Sequence, residues 1–220
     1  MRALITGASR GIGKAIAEIY DQMGYELEIP NRQELDLSDI DSVKDYTTKH
    51  QNIQLDSLVN NAGINIITNL SDAEDDSITK MMYVDLICPL YLIKGTISRL
   101  EKSSVGRIVN IGSIWANVSK PGRSLYSVAK NGIHGLTNAL ALELADKGIL
   151  VNTVCPGFTK TELTQKNNSQ EDIYKIERMI PLKRMAEPEE IAKVVYYLGS
   201  PGNTYITGQK IMVDGGYCSQ

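Results

Sequence analysis

The stretch Thr6-Gly7-Ala8-Ser9-Arg10-Gly11-Ile12-Gly13 follows directly on the apolar run Ala3-Leu4-Ile5. Read as a turn, it ends a strand near Ile5 and starts a helix near Gly11. Glycine suits a tight turn, and it suits a place where phosphate must approach the backbone without a Cβ in the way. The free N–H groups and the dipole of the new helix then face a pyrophosphate. Gly7, Ser9, Arg10, Gly11, Ile12 and Gly13 are therefore candidate contacts of a dinucleotide. Ordinary tight turns also use glycine, so the loop alone leaves both readings open.

The rest of the chain bounds the answer. Its 220 residues suffice for one sizeable core, and one domain over residues 1–220 is expected. With 42% hydrophobic residues, 22% charged residues and a net charge of −3, it has the composition of a soluble globular protein, and a cytoplasmic location is expected. Nothing in that balance points to nucleic acid or an anionic membrane as a partner. Cys88, Cys155 and Cys218 are far apart and lack metal-ligand spacing, so no metal site is expected and reduced thiols are the plain reading. No apolar run approaches the ~20 residues of a membrane span. No basic leader precedes an apolar stretch, because the glycine loop begins at residue 6.

Short apolar runs alternate with longer amphipathic ones. Strands are expected at Arg2–Ile5, Tyr25–Ile29, Leu55–Asn60, Arg107–Ile111, Leu150–Cys155 and Gln209–Val213. Helices are expected at Gly11–Met23, at Ser38–His50 with Ser38 as N-cap, and over Asp72–Leu100 with an interruption near Pro89. Two more follow at Leu125–Lys147 and Glu187–Leu198, the latter with Pro188 in its first turn. The alternation predicts an α/β fold, a Rossmann-like doubly wound parallel sheet in three layers. Ligands of such sheets sit at the carboxyl ends of the strands, so the loops after Ile5, Asn60, Ile111 and Cys155 should meet in one crevice. Only Pro30 to Glu34 separate the second strand from Leu35-Asp36-Leu37. A parallel crossover needs about a dozen residues, so an outer strand there is rudimentary or this edge of the sheet is shortened.

Tyr126 and Lys130 lie four apart in a helical segment and share one face. A tyrosine near its ordinary pKa of ~10 is a poor acid or base at neutral pH, and a neighbouring ammonium favours its phenolate. So tuned, it can give a proton to a carbonyl oxygen or take one from an alcohol. Ser113, at a strand end, can hold the same oxygen. Tyrosine and lysine at this spacing also occur by chance.

With Asn60-Asn61-Ala62-Gly63 added, the chain closely resembles the classical short-chain dehydrogenase/reductase family over nearly its whole length. Thr6–Gly13 is similar to the family's TGxxxGIG loop, and Asn60–Gly63 to its NNAG segment, with Asp56 in the usual acidic place before it. Ile108–Ser113 resembles the strand that delivers the catalytic serine, Tyr126–Lys130 the YxxxK pair, and Pro156-Gly157-Phe158-Thr159-Lys160-Thr161 the PG…T loop. The resemblance implies hydride transfer between C4 of a nicotinamide and a carbonyl carbon. Tyr126 would handle the proton, Ser113 would hold the oxygen, and Lys130 would bind the nicotinamide ribose. Asn61, Ala62, Gly63, Tyr126, Lys130, Pro156, Gly157, Thr159 and Thr161 would contact the cofactor. The family's fourth catalytic residue is an asparagine. Asp85 stands in its place, and Asp85→Asn is expected to keep or raise activity. An ionised aspartate accepts hydrogen bonds as the amide does but cannot donate them.

Cofactor choice rests on charge. Pro30 and Asn31 occupy the place where an acidic residue would bind the adenosine 2′-OH. Arg10 and Arg32 suit a 2′-phosphate, which favours NADP(H). Glu34 and Asp36 keep NAD(H) as a rival, although the resemblance places Asp36 and Leu37 beside the adenine. Pro181–Met185 and Tyr205–Gln209 look most like 3-oxoacyl-acyl-carrier-protein reductases. Lys120, Arg123 and Lys166 would then offer an acyl carrier protein a basic rim. Alternatives are a sugar or polyol dehydrogenase using NAD(H), or a catalytically weak nucleotide-sensing protein. Trp115 and Asn117 would line the substrate pocket, and Thr159–Ser169 would form a lid. His134, Cys155, Tyr196 and Tyr197 are read as packing residues. The resemblance also implies a homodimer or homotetramer through the helices of Asp72–Leu100 and Leu125–Lys147.

Overall fold

Ala3 and Ile5 of β1 (Arg2–Ile5) pack into one apolar layer, while Leu4 between them packs into another. This alternation builds the fold, because each strand must bury both of its faces. The computed structural model describes residues 1–162, 164 and 169–220. Its sheet continues with β2 (Glu26–Glu28), β3 (Ser57–Asn60), β4 (Arg107–Ile111), β5 (Leu150–Pro156) and β6 (Lys210–Val213). All pairings are parallel and the order is β2-β1-β3-β4-β5-β6. One face is covered by α1 (Gly11–Gln22) and the late helix α7 (Pro188–Leu198). The other carries α2 (Ile40–His50), α4 (Cys88–Leu100) and α5 (Ser124–Glu143). The chain is a Rossmann-like α/β fold in three layers, as its alternating pattern predicts.

The helix termini differ from expectation in ways with physical causes. Asp39, not Ser38, caps α2 by accepting the Asp41 N–H at 2.9 Å; the Ser38 hydroxyl is committed to Asp36 at 2.6 Å. The interruption expected near Pro89 lies just before it. After α3 (Asp75–Met82), Tyr83–Ile87 form a π-helical turn, and Pro89 sits in the first turn of α4. Proline cannot donate to the Asp85 carbonyl four residues back, and the widened turn accommodates that loss. By length and composition the whole stretch Asp75–Leu100 could cross a bilayer. Here it serves as a core element, with Met81, Cys88, Leu92, Ile93, Arg99 and Leu100 all buried. Among the described residues, two further helices follow β5, α6 (Gln170–Met179) and α7 (Pro188–Leu198). The first is opened by a reciprocal Ser169–Asp172 capping box and has no counterpart among the helices read from the sequence.

The shortened edge has no outer strand over Leu35–Leu37. Asn31 folds Pro30–Glu34 into a turn by accepting the N–H groups of Gln33 and Glu34, and Leu35 and Leu37 bury in the core layer of α2 and α4. The space is sealed by Arg99 of α4, whose guanidinium pairs with Glu28 of the edge strand and donates to the Ile53 carbonyl at 2.8 Å. Tyr46 donates to the same carboxylate at 3.2 Å.

Candidate active site

The loops after β1, β3, β4 and β5 do converge. The glycine loop is held open by its own geometry: Gly7 and Gly11 adopt φ of +67° and +55°, conformations that side chains strain against. Arg10 occupies the N-cap of α1 without a capping hydrogen bond, and the first turn carries no acid. Among the described residues no side chain caps the leading N–H groups, which suits an anion seat. A Cβ on Gly13 would lie 2.2 Å from the Gly7 carbonyl oxygen and 2.4 Å from Asn61 Nδ2. Asn61 braces the loop, donating to the carbonyls of Thr6 and Gly7 at 2.9 and 3.1 Å. The Thr6 hydroxyl oxygen in turn accepts the N–H groups of Asn61 and Ala62, both at 3.0 Å.

Two cavities of about 450 and 410 Å³ share Gly7, Ser9, Ala62, Gly63 and Ile64 as a common wall. Their joint shape suits a two-part ligand with its pyrophosphate at the waist. Arg10, Gly11, Ile12, Gly13, Asn61, Pro156, Gly157, Thr159 and Thr161 line the first lobe together with Ser113, Tyr126 and Lys130. Pro30, Arg32, Asp36 and Leu37 line the second. Arg10 and Arg32 thus face different lobes. The Arg32 Nε pairs with Asp36 at 3.2 Å, and Asp36 also accepts from the Ser38 N–H and hydroxyl. Thr161 packs against Gly11, where an added Cβ would meet its methyl at 3.3 Å. The PG…T loop thus lies over the glycine loop.

The widened turn before α4 delivers Asp85 to Lys130. Asp85 Oδ1 accepts the Ile64 N–H at 2.7 Å, and Oδ2 lies 3.7 Å from Lys130 Nζ, an ion pair beyond hydrogen-bond reach. The ammonium donates to the Ile111 carbonyl at 3.1 Å and lies 5.5 Å from the centre of the Tyr126 ring. Both charges are buried, and Gly63 leaves room for them: a Cβ there would sit 3.3 Å from each. Burial pushes the Asp85 carboxyl up. Burial also opposes the Lys130 cation, but the Asp85 and Tyr126 charges outweigh it and hold the ammonium above the usual lysine range. Ser113, extended and buried at the end of β4, accepts the Trp115 N–H at 3.3 Å.

The far side of the first lobe differs from the expected surface rim. Arg123 is only 8% exposed and stacks over the Trp115 ring, with its guanidinium carbon 5.1 Å from the ring centre. It is not a rim cation, because Trp115 and Asn65 close around it from other parts of the chain. Lys120 stands 5.4 Å from the same ring, and Phe158 meets Trp115 edge-on at 6.1 Å. Asn117 is not a wall residue; its amide oxygen faces Lys210. Thr159, Thr161, Glu162 and Thr164 of the expected lid line the lobe. Leu163, Gln165, Lys166, Asn167 and Asn168 lie outside the described residues, and with them the third cation of the expected rim. Cys155 is buried and its thiol pushed up, chiefly by burial, consistent with packing. His134 is away from the lobe, and Tyr196 packs in an aromatic cluster with Tyr20 and Tyr25. Tyr197, expected to pack, is instead 49% exposed.

The sequence pattern of the family described as Enoyl-(Acyl carrier protein) reductase matches residues 31–218. A 3-oxoacyl-[acyl-carrier-protein] reductase FabG of Buchnera aphidicola is 37% identical, covering 97% of this chain and 96% of the relative. The FabG of Vibrio harveyi is 35% identical with the same coverage. A short chain dehydrogenase family protein from Francisella tularensis superposes with a TM-score of 0.90 at 32% identity, covering 100% of this chain and 99% of that one. The chain belongs to the short-chain dehydrogenase/reductase family. Another solved member, ElxO with NADP bound, superposes at 0.91 with 31% identity and the same coverage. The protein is thus an oxidoreductase of that family, and its three side chains Ser113, Tyr126 and Lys130 share one lobe beside the glycine loop.

Proposed function

We propose that the protein is an NADP(H)-dependent carbonyl reductase in which Tyr126 acts as the acid and base. The carrying observation is the common wall of Ser113, Tyr126 and Lys130, with a buried ammonium beside the phenol ring. Gly7, Gly11 and Gly13 leave a cradle that a Cβ would fill, and the uncapped start of α1 faces it, so a dinucleotide fits these residues. Held by these residues, a reduced nicotinamide would supply hydride for the carbonyl carbon. The Tyr126 hydroxyl gives its proton to the substrate oxygen while the Ser113 hydroxyl donates a hydrogen bond to it. The phenolate left behind faces the Lys130 ammonium, which donates to the Ile111 carbonyl and stands 3.7 Å from Asp85.

The preference for NADP(H) is supported by Arg32 on the second lobe and by the NADP bound to ElxO. Glu34 accepts the Asn31 N–H within its own loop and does not line the second lobe, and Asp36 is paired with Arg32 and Ser38. The FabG relatives make a 3-oxoacyl group the substrate class to test first. Exposed Val128 and Leu142 on α5 support assembly as a dimer or tetramer through that helix, checked by sedimentation. The test of activity is NADPH and NADH oxidation across 3-oxoacyl compounds, ketoses and small diketones. Turnover of 3-oxoacyl compounds with NADPH preferred is expected. Turnover of ketoses alone would make it a sugar dehydrogenase, and cofactor binding without turnover would make it a sensor.

A further inference from the structure

Arg123 is buried, and among the described residues it has no countercharge. Among the described residues its only side-chain hydrogen bond runs from Nη1 to the Asn65 amide oxygen at 2.6 Å, and no carboxylate pairs with it. Its Nε is buried with no acceptor. A guanidinium stays charged even where burial disfavours it, so such a site calls for an anion. Lys120 adds a second positive charge over the Trp115 ring. The two cations stand on the wall that holds Ser113 and Tyr126: Trp115 follows Ser113 by two residues, and Arg123 precedes Tyr126 by three. The neutral oxygen of Asn65 leaves that charge in place.

We propose that Arg123 is a specificity-determining residue that seats a substrate carboxylate, so that the enzyme reduces free 3-oxo acids in preference to their thioesters. This rests on the reductase reading above and narrows it. A planar guanidinium holds a carboxylate by charge-assisted, two-pronged hydrogen bonding, whereas a thioester carbonyl offers one neutral acceptor and no countercharge. The reaction is otherwise unchanged: hydride adds to C3, the C3–O bond loses its π component, and Tyr126 protonates the oxygen.

Trp115 is the only tryptophan of the chain, so its fluorescence reports on this wall. The protein saturated with NADP⁺ is titrated with 3-hydroxybutanoate and with its methyl ester. A saturable change is expected with the acid, and binding of the ester should be weaker by about tenfold or more. Arg123→Gln should weaken acid binding by about 100-fold, while Arg123→Lys keeps part of it. In turnover, wild-type kcat/KM should favour 3-oxobutanoate over its N-acetylcysteamine thioester, and Arg123→Gln should reverse the order mainly through KM. Equal binding of acid and ester, or acid binding unchanged in Arg123→Gln, overturns the proposal. If Arg123→Gln does not fold, the acid–ester comparison in wild type and Arg123→Lys decides. Acid binding that depends on Arg123 but gives no turnover would refute the reductase reading alone. Tyr126-dependent thioester turnover without acid binding would refute the carboxylate seat alone.

Discussion

Gly13→Ala tests the glycine cradle by the smallest possible change. Its Cβ would sit 2.2 Å from the Gly7 oxygen, 2.4 Å from Asn61 Nδ2 and 2.9 Å from the Gly7 carbonyl carbon. Comfortable contacts begin near ~3.5 Å, so atoms of the loop itself must move by roughly 1 Å. Overpacking of this kind costs about 1–3 kcal/mol, and the better helix propensity of alanine returns at most ~1 kcal/mol. We expect a net loss of about 1–2 kcal/mol in urea unfolding, with NADPH binding weakened by about tenfold or more because Gly7 is displaced. Gly135→Ala in α5, compared at concentrations where the protein is monomeric, is the matched control, since within one chain its Cβ would meet nothing within 4 Å. It should stabilise by up to ~1 kcal/mol and leave NADPH binding unchanged. Wild-type stability and NADPH affinity in Gly13→Ala, or equal damage from Gly135→Ala, would refute the reasoning.

Other parts of the site make separate predictions. Asp85→Asn should keep or raise kcat, because the amide oxygen can still accept the Ile64 N–H; a large loss would give the carboxylate a role of its own. Arg32→Ala should lower the NADPH-to-NADH ratio of kcat/KM by about tenfold, and a wild-type preference for NADH would contradict the assignment. Hydrogen bonds from Arg184 hold the Glu190 carboxyl at about 2, below its ordinary 4.5. The pair's contribution to stability is therefore complete above about 4.5 and is lost as pH falls toward about 2. Carboxyl chemical shifts should titrate accordingly, and Arg184→Ala should raise Glu190 part of the way back, with the Glu187 N–H still holding it below the ordinary range.

Local patterns in the sequence carried much of this fold. The runs at Arg2–Ile5 and Arg107–Ile111 are strands with those very limits, since short apolar segments between turn residues have few alternatives. The converging loops followed from parallel topology. Features that depend on distant partners were not legible. Nothing in the sequence pairs Arg99 with Glu28, because the two meet only after α4 packs under the edge strand. Asp39 and Ser38 are equally good caps on paper, and the choice turns on Asp36 claiming the serine. Arg123 reads as a solvated cation until Trp115 and Asn65 close around it.

The most direct test of the central claim is Tyr126→Phe, assayed for NADPH oxidation with the best 3-oxoacyl substrate and for NADPH binding by fluorescence titration. Loss of the hydroxyl removes the proton donor and leaves the ring beside Lys130. In this variant kcat should fall by about 10²–10⁴-fold with the Kd for NADPH nearly unchanged. Turnover at the wild-type rate would contradict the role assigned to Tyr126.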